Sequence, residues 1–353
     1  MGTINFDQTT DETTNVIGNI ELERETGNAD FGNTVYLKEG ITLTSGTLNS
    51  NGNLVFLSDA TNTAIVREVP SGGGTISDDV VIQRFFSSNR AFRYISPSVT
   101  TSTSINANWQ EGQSNPTTDL NDNQDNVSGF GTHITGSAWI SENGFDATQT
   151  GNPSMFTWNL NDQDWDAVTS TLSNTLTAGD TYALMVRGDR STNLNSNTAV
   201  GPATTLRTTG AIVTGPQNIS PTLPNATDDF ILLGNPYQAQ VDMIEVLKNN
   251  ATGINSDYMY IYDPTIGSKG GYATIDLSDG SIDNLSVPGT SGANQYLQPH
   301  QAVFVQASSS TPDIDFVETA KHTSHINNQT FGESTTSSGQ SLSVNLIRND
   351  SQT

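Results

Sequence analysis

An all-β fold follows from three features of this sequence: period-two alternation, abundant turn chemistry and almost no helical periodicity. Segments such as Tyr258-Met-Tyr-Ile-Tyr262 and Ala302-Val-Phe-Val-Gln306 carry the strand pattern. Hydrophobic residues make up only 33% of the chain and charged residues 14%, so much of the rest is Gly, Ser, Thr, Asn and Gln. That is the composition of strands joined by many tight turns. A disordered chain would also be polar, but it would not set 13 Phe, 9 Tyr and 4 Trp into alternating segments.

At 353 residues the chain exceeds a typical domain. Residues 1–33 are acidic and polar and read as a leader carrying one strand, Ile17 to Leu22. Over 34–95, Gly40, Gly46 and Gly52 recur every six residues, each followed closely by an aliphatic or β-branched residue. This suggests a short β-solenoid-like part, although ordinary hairpins produce similar text. Over 96–330 the strands are longer and no helices intervene, which predicts an antiparallel β-sandwich of jelly-roll character. One helix is expected at Val241 to Lys248, where apolar residues recur at helical spacing. The Ser/Thr/Gly-rich stretch Gly332 to Gln340 reads as a linker within 331–353, and Ser341-Leu-Ser-Val-Asn-Leu-Ile-Arg348 as the first strand of a further, truncated domain.

Thirty-seven acidic against 13 basic residues give a formal charge of −24. Nucleic acid and anionic membranes both require Lys and Arg to neutralise phosphate, so neither is an expected partner. With zero cysteine, disulfides and thiolate chemistry are excluded. No apolar run reaches membrane-span length, and Met1-Gly-Thr-Ile-Asn5 lacks the basic and apolar regions of a signal peptide, so any secretory signal is expected to have been removed.

An ordered set of motifs adds an address. Val81-Ile-Gln-Arg-Phe-Phe86, Arg90-Ala-Phe-Arg-Tyr-Ile-Ser-Pro97, Asn108-Trp-Gln-Glu-Gly112, Gly131-Thr-His-Ile-Thr-Gly136, Gly179-Asp-Thr-Tyr-Ala-Leu-Met-Val-Arg-Gly-Asp-Arg190, Leu233-Gly-Asn-Pro-Tyr237 and Gln301-Ala-Val-Phe-Val-Gln306 follow one another in order, within a resemblance that covers roughly residues 35 to 350. Together they resemble a region of large Bacteroidota surface proteins exported by the type IX secretion system. The resemblance implies an extracellular, cell-surface location, with secretion and attachment machinery engaged through a C-terminal sorting domain absent from this sequence. It implies no particular activity.

Candidate sites are few. In Asp119-Leu-Asn-Asp-Asn-Gln-Asp125, side-chain oxygens at Asp119, Asn121, Asn123 and Asp125 alternate as in calcium-binding loops, so Ca2+ is the candidate cofactor. Gln124 replaces the turn glycine and no bidentate Glu follows, which leaves a solvated acidic loop as the competing reading. Asn159 to Asp166 and Asp276 to Asp283 look similar but read as hairpin turns. Arg84, Arg90 and Arg93, with Arg187 and Arg190, form two clusters of a scarce residue. They are expected to pair with carboxylates such as Asp189 and so fasten solenoid to sandwich; a sulfated or uronic-acid glycan site is the alternative. Arg187-Gly-Asp189 spells an integrin-binding tripeptide but follows directly on a strand, and is discounted.

Trp139 and Trp158 sit in apolar strands and are expected in the core. Trp109 and Trp165 have polar neighbours and are the candidate stacking platforms for a glycan. His133, His300, His322 and His325 make no HExxH or GxSxG-linked set. The expectation is therefore a non-enzymatic surface module for adhesion or display that binds a glycan or surface protein. An accessory or catalytic part of a secreted polysaccharide-degrading enzyme is the alternative.

Overall fold

The computed structural model describes residues 2–4, 12, 16–115, 127–136, 143–225, 228–267, 270–278, 291–322, 330 and 343–347. The protein is all-β, as its alternation and turn chemistry require: the described residues form strands in five sheets with short helical turns between them.

The N-terminal sheet is a parallel ladder. Val16–Phe31 lies beside Val35–Asn49, and that strand is followed in parallel by Leu54–Phe56, Ile65–Val66 and Thr75–Ser77. Like residues stack from one pass to the next: Ile20 opposite Ile41, Leu22 opposite Leu43, Ile41 opposite Val66. All five are buried, and a fully buried side chain of this size contributes about 1.5–3 kcal/mol. Residues 16–31 are thus a full pass of the ladder rather than part of a leader, because Ile17, Ile20, Leu22, Ala29 and Phe31 need the neighbouring pass to cover them.

The six-residue glycine spacing is not the period of this ladder. Val35 pairs Leu54 and Leu48 pairs Ile76, so one pass takes roughly twenty to thirty residues. Gly46, at φ +88°, makes a bulge in which a Cβ would strike Arg24, whereas Gly40 lets the Ile65 carbonyl of the next pass approach closely.

The boundary expected near residue 95 is crossed by the chain. Val80–Phe86 runs parallel to Leu54–Phe56, and Thr204–Ile212, from within the range read as sandwich, returns to pair with it antiparallel. Ser343–Ile347, read as the start of a further domain, lies parallel to Val16–Phe31 with Ser343 opposite Asn19. The helix expected at Val241 to Lys248 forms over most of its length: Gln240–Asp242 is a strand, Met243 and Ile244 are helical, and the turn continues as a π-helix over Glu245–Asn249.

Two four-stranded antiparallel sheets occupy the middle of the molecule. The upstream sheet runs in the order Asp164–Ala167, Met155–Asn159, Tyr182–Val186, Ala91–Ile95; the downstream sheet in the order Phe230–Gly234, Ala302–Gln306, Tyr258–Asp263, Gly271–Asp276. Each sheet buries a mainly aliphatic face against its own core. Met155, Tyr182, Leu184 and Val186 serve upstream; Ile231, Leu233, Ile261, Val303 and Val305 serve downstream. Period-two geometry turns the intervening residues to the opposite faces, where the two sheets meet.

Buried charge holds the upstream core. Arg190 is paired, but with Asp146 rather than Asp189: two guanidinium N–H groups donate to the two carboxylate oxygens at 2.9 Å each. His133 Nδ1 stands 3.2 Å from Asp146 Oδ2, and the backbone N–H groups of Asn115 and Ile134 also donate to that carboxylate, at 2.5 and 3.1 Å. Burial alone would raise the Asp146 carboxyl, but His133 and Arg190 hold it well below the usual carboxylate range. Asp189 instead accepts from the Gly129 and Ser191 backbone N–H groups. The Arg187-Gly188-Asp189 tripeptide is interior, with both charged residues buried.

Two joints tie the ladder to the downstream sheet. Glu318 accepts the Val69 N–H at 2.8 Å and the Gly215 N–H at 2.7 Å, while buried Lys321 donates to it and lies over the Tyr237 ring. At the second joint Ser98 bridges the His300 Nε2 at 2.9 Å and Gln238 at 2.6 Å, and Gln238 donates to the Ala64 carbonyl. Burial, and then the charge of Arg84, push His300 down to about 3. An unfolded histidine titrates near 6.5, so the folded protein keeps this ring neutral where the unfolded chain takes up a proton. Its contribution to stability is complete above about pH 6.5 and is lost as pH falls from there toward 3, with a limiting slope of about 1.4 kcal/mol per pH unit. Urea unfolding between pH 7.5 and 4.5 is expected to show this loss, and His300→Gln is expected to flatten it.

Candidate binding cleft

The faces on which the two central sheets meet are aromatic. Phe92 and Tyr94 alternate with Arg93 on one upstream strand, and Phe156 and Trp158 alternate with Met155 and Thr157 on another. Downstream, Phe230, Tyr260, Tyr262 and Phe304 take the corresponding positions, joined by Leu232 and Ala302. The two sheets touch where Ile95 forms an antiparallel bridge to Gln301. They are also fastened at Phe230: its N–H donates to Gln163 Oε1 at 2.6 Å, and its carbonyl accepts from Trp158 Nε1 at 2.9 Å and Gln163 Nε2 at 3.2 Å.

The hairpin read from Asn159 to Asp166 forms as expected and does the positioning. Its strands place Trp158 directly opposite Trp165, with ring centroids 5.1 Å apart and planes at 71°. Gln163, at φ +52°, closes the turn and reaches across to Phe230. Edge-to-face contacts of this kind fix ring orientation, because each ring sets its positive edge against a neighbour's negative face.

The rings do not fill the layer. A cleft of about 490 Å³ opens among Trp158, Trp165, Phe230, Tyr260, Tyr272 and Phe304, with Asp164 and Gln163 at its polar side. A second compartment of about 270 Å³ lies among Phe92, Tyr94, Phe156, Ala183 and Tyr262. Trp165 lines both and stands between them. Tyr272, 47% exposed, forms part of the outer wall. The Tyr94 hydroxyl meets that of Tyr272 at 2.6 Å, and burial, then this hydrogen bond, raise the Tyr94 hydroxyl above its ordinary value, so it stays protonated. The volume and the apolar lining with a few polar groups are those of a small-molecule site.

Another depression of about 590 Å³ lies between the Ser71–Gly74 loop and residues 214–216. It is walled by Glu318, whose oxygens already serve the joint described above. Among the described residues no group of three His, Asp or Glu side chains is placed to hold a metal ion. Asp119, Asn121, Asn123 and Asp125 lie outside the described residues, as does Trp139.

Of the two tryptophans expected to stack on a glycan, Trp165 projects into the cleft and Trp109 does not. Trp109 ends the short helix Ile105–Trp109, is 1% exposed, donates its indole N–H to Thr208 at 2.9 Å and meets Tyr182 edge-on. Its polar neighbours misled because they are themselves buried: Asn108 bonds Thr103, Ser104 and Thr209, and Gln110 bonds Gly144 and Asp146. Trp158, expected in the core, is half-buried and lines the cleft. Of the clustered arginines, Arg84, Arg93, Arg187 and Arg190 are all buried, so they form no surface for an acidic glycan. The missed cleft residues carried a signal in the sequence: aromatic residues two apart, on one face, in several strands at once.

No family model, no curated protein and no solved structure matches the chain.

Trp109 and Trp165 are expected to separate cleanly on substitution. Trp109→Ala should cost about 3–5 kcal/mol in chemical denaturation, as removal of a fully buried aromatic does. Trp165→Ala should cost less than half of that and leave the far-UV circular dichroism unchanged.

Proposed function

We propose that this protein is a non-enzymatic extracellular surface module for adhesion or display, and that its aromatic cleft binds a glycan. The observation that carries the reading is the unfilled layer of rings around Trp165, bordered by Asp164. Sugar rings present C–H faces that pack on aromatic planes, while their hydroxyls need acceptors at the rim. A carboxylate beside two indoles supplies both kinds of contact.

A glycosidase would need a pair of carboxylates about 5–9.5 Å apart across the sugar. Among the described residues, Asp164 is the one carboxylate that lines the larger compartment, and none lines the smaller. That favours binding over cleavage as the reading of this cleft. The surface location and export by the type IX route rest on the motif resemblance, with attachment through a C-terminal domain. Calcium at Asp119, Asn121, Asn123 and Asp125 would serve as a structural ion.

A glycan array with and without EDTA tests the reading. Retention of a defined set of glycans, no release of shorter products, and a loss of about tenfold or more in affinity for Trp165→Ala support it. Cleavage of a bound polysaccharide, or binding that Trp165→Ala leaves intact, contradicts it. Weakening by EDTA that added Ca2+ reverses would support the calcium site.

A further inference from the structure

Resting on that reading, we propose that the ligand is an uncharged glycan of at least two sugar units, seated with one ring on either side of Trp165. Three observations lead there. The first is that the cleft is divided. The compartments of about 490 and 270 Å³ have separate linings and share only Trp165. A single sugar can occupy one; a chain of two or more units that passes over Trp165 would occupy both.

The second is the matching of walls. Phe304, central in the downstream sheet, lies 4.8 Å from Trp158 and 6.0 Å from Trp165, all on the larger side. On the smaller side Tyr94 and Tyr262 stack on each other, with centroids 4.9 Å apart and planes at 28°, so a sugar ring there packs beside this pair rather than between its members. Ala183 sits where neighbouring strands carry rings, and its small side chain creates the smaller compartment.

The third is charge. Among the described residues no Lys or Arg lines either compartment, Asp164 lines the larger and is exposed, and the chain carries a net charge of −24. Arg93, between Phe92 and Tyr94 on the same strand, is buried and donates to the Phe92 and Asn89 carbonyls. Uronate or sulfate groups would enter a negative field with no counter-cation, whereas neutral hydroxyls can donate to Asp164. Specificity against acidic glycans follows from repulsion rather than from any added contact.

Calorimetry on the whole chain with cello-, manno- and chito-oligosaccharides of one to six units, and with oligogalacturonates of matched length, tests this. The expected result is that at least one neutral series binds, gains tenfold or more in affinity from one unit to two or three, and then levels off. The matched oligogalacturonates should bind at least tenfold more weakly. Tyr262→Ala should return the longer oligomers to the affinity of the monosaccharide without changing the latter. Ala183→Val, which fills the smaller compartment and removes no ring, should do the same while preserving the thermal midpoint. A monosaccharide that binds as tightly as a trisaccharide, acidic oligomers that bind equally well, or long-oligomer affinity untouched in both variants would overturn the inference and leave the glycan reading standing. Failure of the folded wild-type protein to bind any of these sugars, or any glycan on the array, would overturn both.

Discussion

The structure turns on one constraint: in each central sheet one face is mainly aliphatic and the other mainly aromatic. A β-strand cannot avoid presenting two faces, and a sheet buried on both must find two partners. Here the aliphatic faces close against ordinary cores, built around Leu184 and Val186 upstream and Ile231 and Val305 downstream. The aromatic faces close against each other. Rings meet in fixed edge-to-face and offset geometries, and between these two ring-bearing faces spaces of about 490 and 270 Å³ remain. The gap around Trp165 is thus a consequence of which residues alternate.

Holding two such sheets in register demands fixed supports. The Ile95–Gln301 bridge sets one contact and the Phe230 hydrogen bonds to Gln163 and Trp158 set another. Behind the upstream sheet, Asp146 gathers Arg190, His133 and two backbone N–H groups. A buried ion pair contributes little net stability compared with apolar packing, but it is costly to break and fixes geometry. Glu318 with Lys321, and Ser98 with His300 and Gln238, join the parallel ladder to the downstream sheet in the same manner. Polar groups are used here at the seams between layers, where side chains of fixed reach can define distance.

The fold class was legible because alternation and turn chemistry are local. The Asn159–Asp166 hairpin was readable for the same reason. What escaped was set by long-range partners. Trp109 looked exposed because Asn108 and Gln110 flank it, yet both amides find interior partners contributed by distant residues such as Thr209, Gly144 and Asp146. Arg190 was rightly expected to pair, but its carboxylate comes from residue 146, forty-four positions away, rather than from the adjacent Asp189. Trp158 was assigned to the core on its apolar neighbours; nothing local says that the facing sheet would stop short of covering it. The glycines at 40, 46 and 52 suggested a repeat, although each answers a different local demand. Residues 16–31 looked too polar for a core because their outward positions are Asn, Glu and Arg, while every buried one is apolar.

A crystal structure of the protein soaked with the tightest-binding neutral oligosaccharide tests the account most directly. The account predicts sugar density lying between the two aromatic faces, packed against Trp165 and with a hydroxyl on Asp164. Sugar density elsewhere on the molecule, or facing rings that close the space entirely, would contradict it.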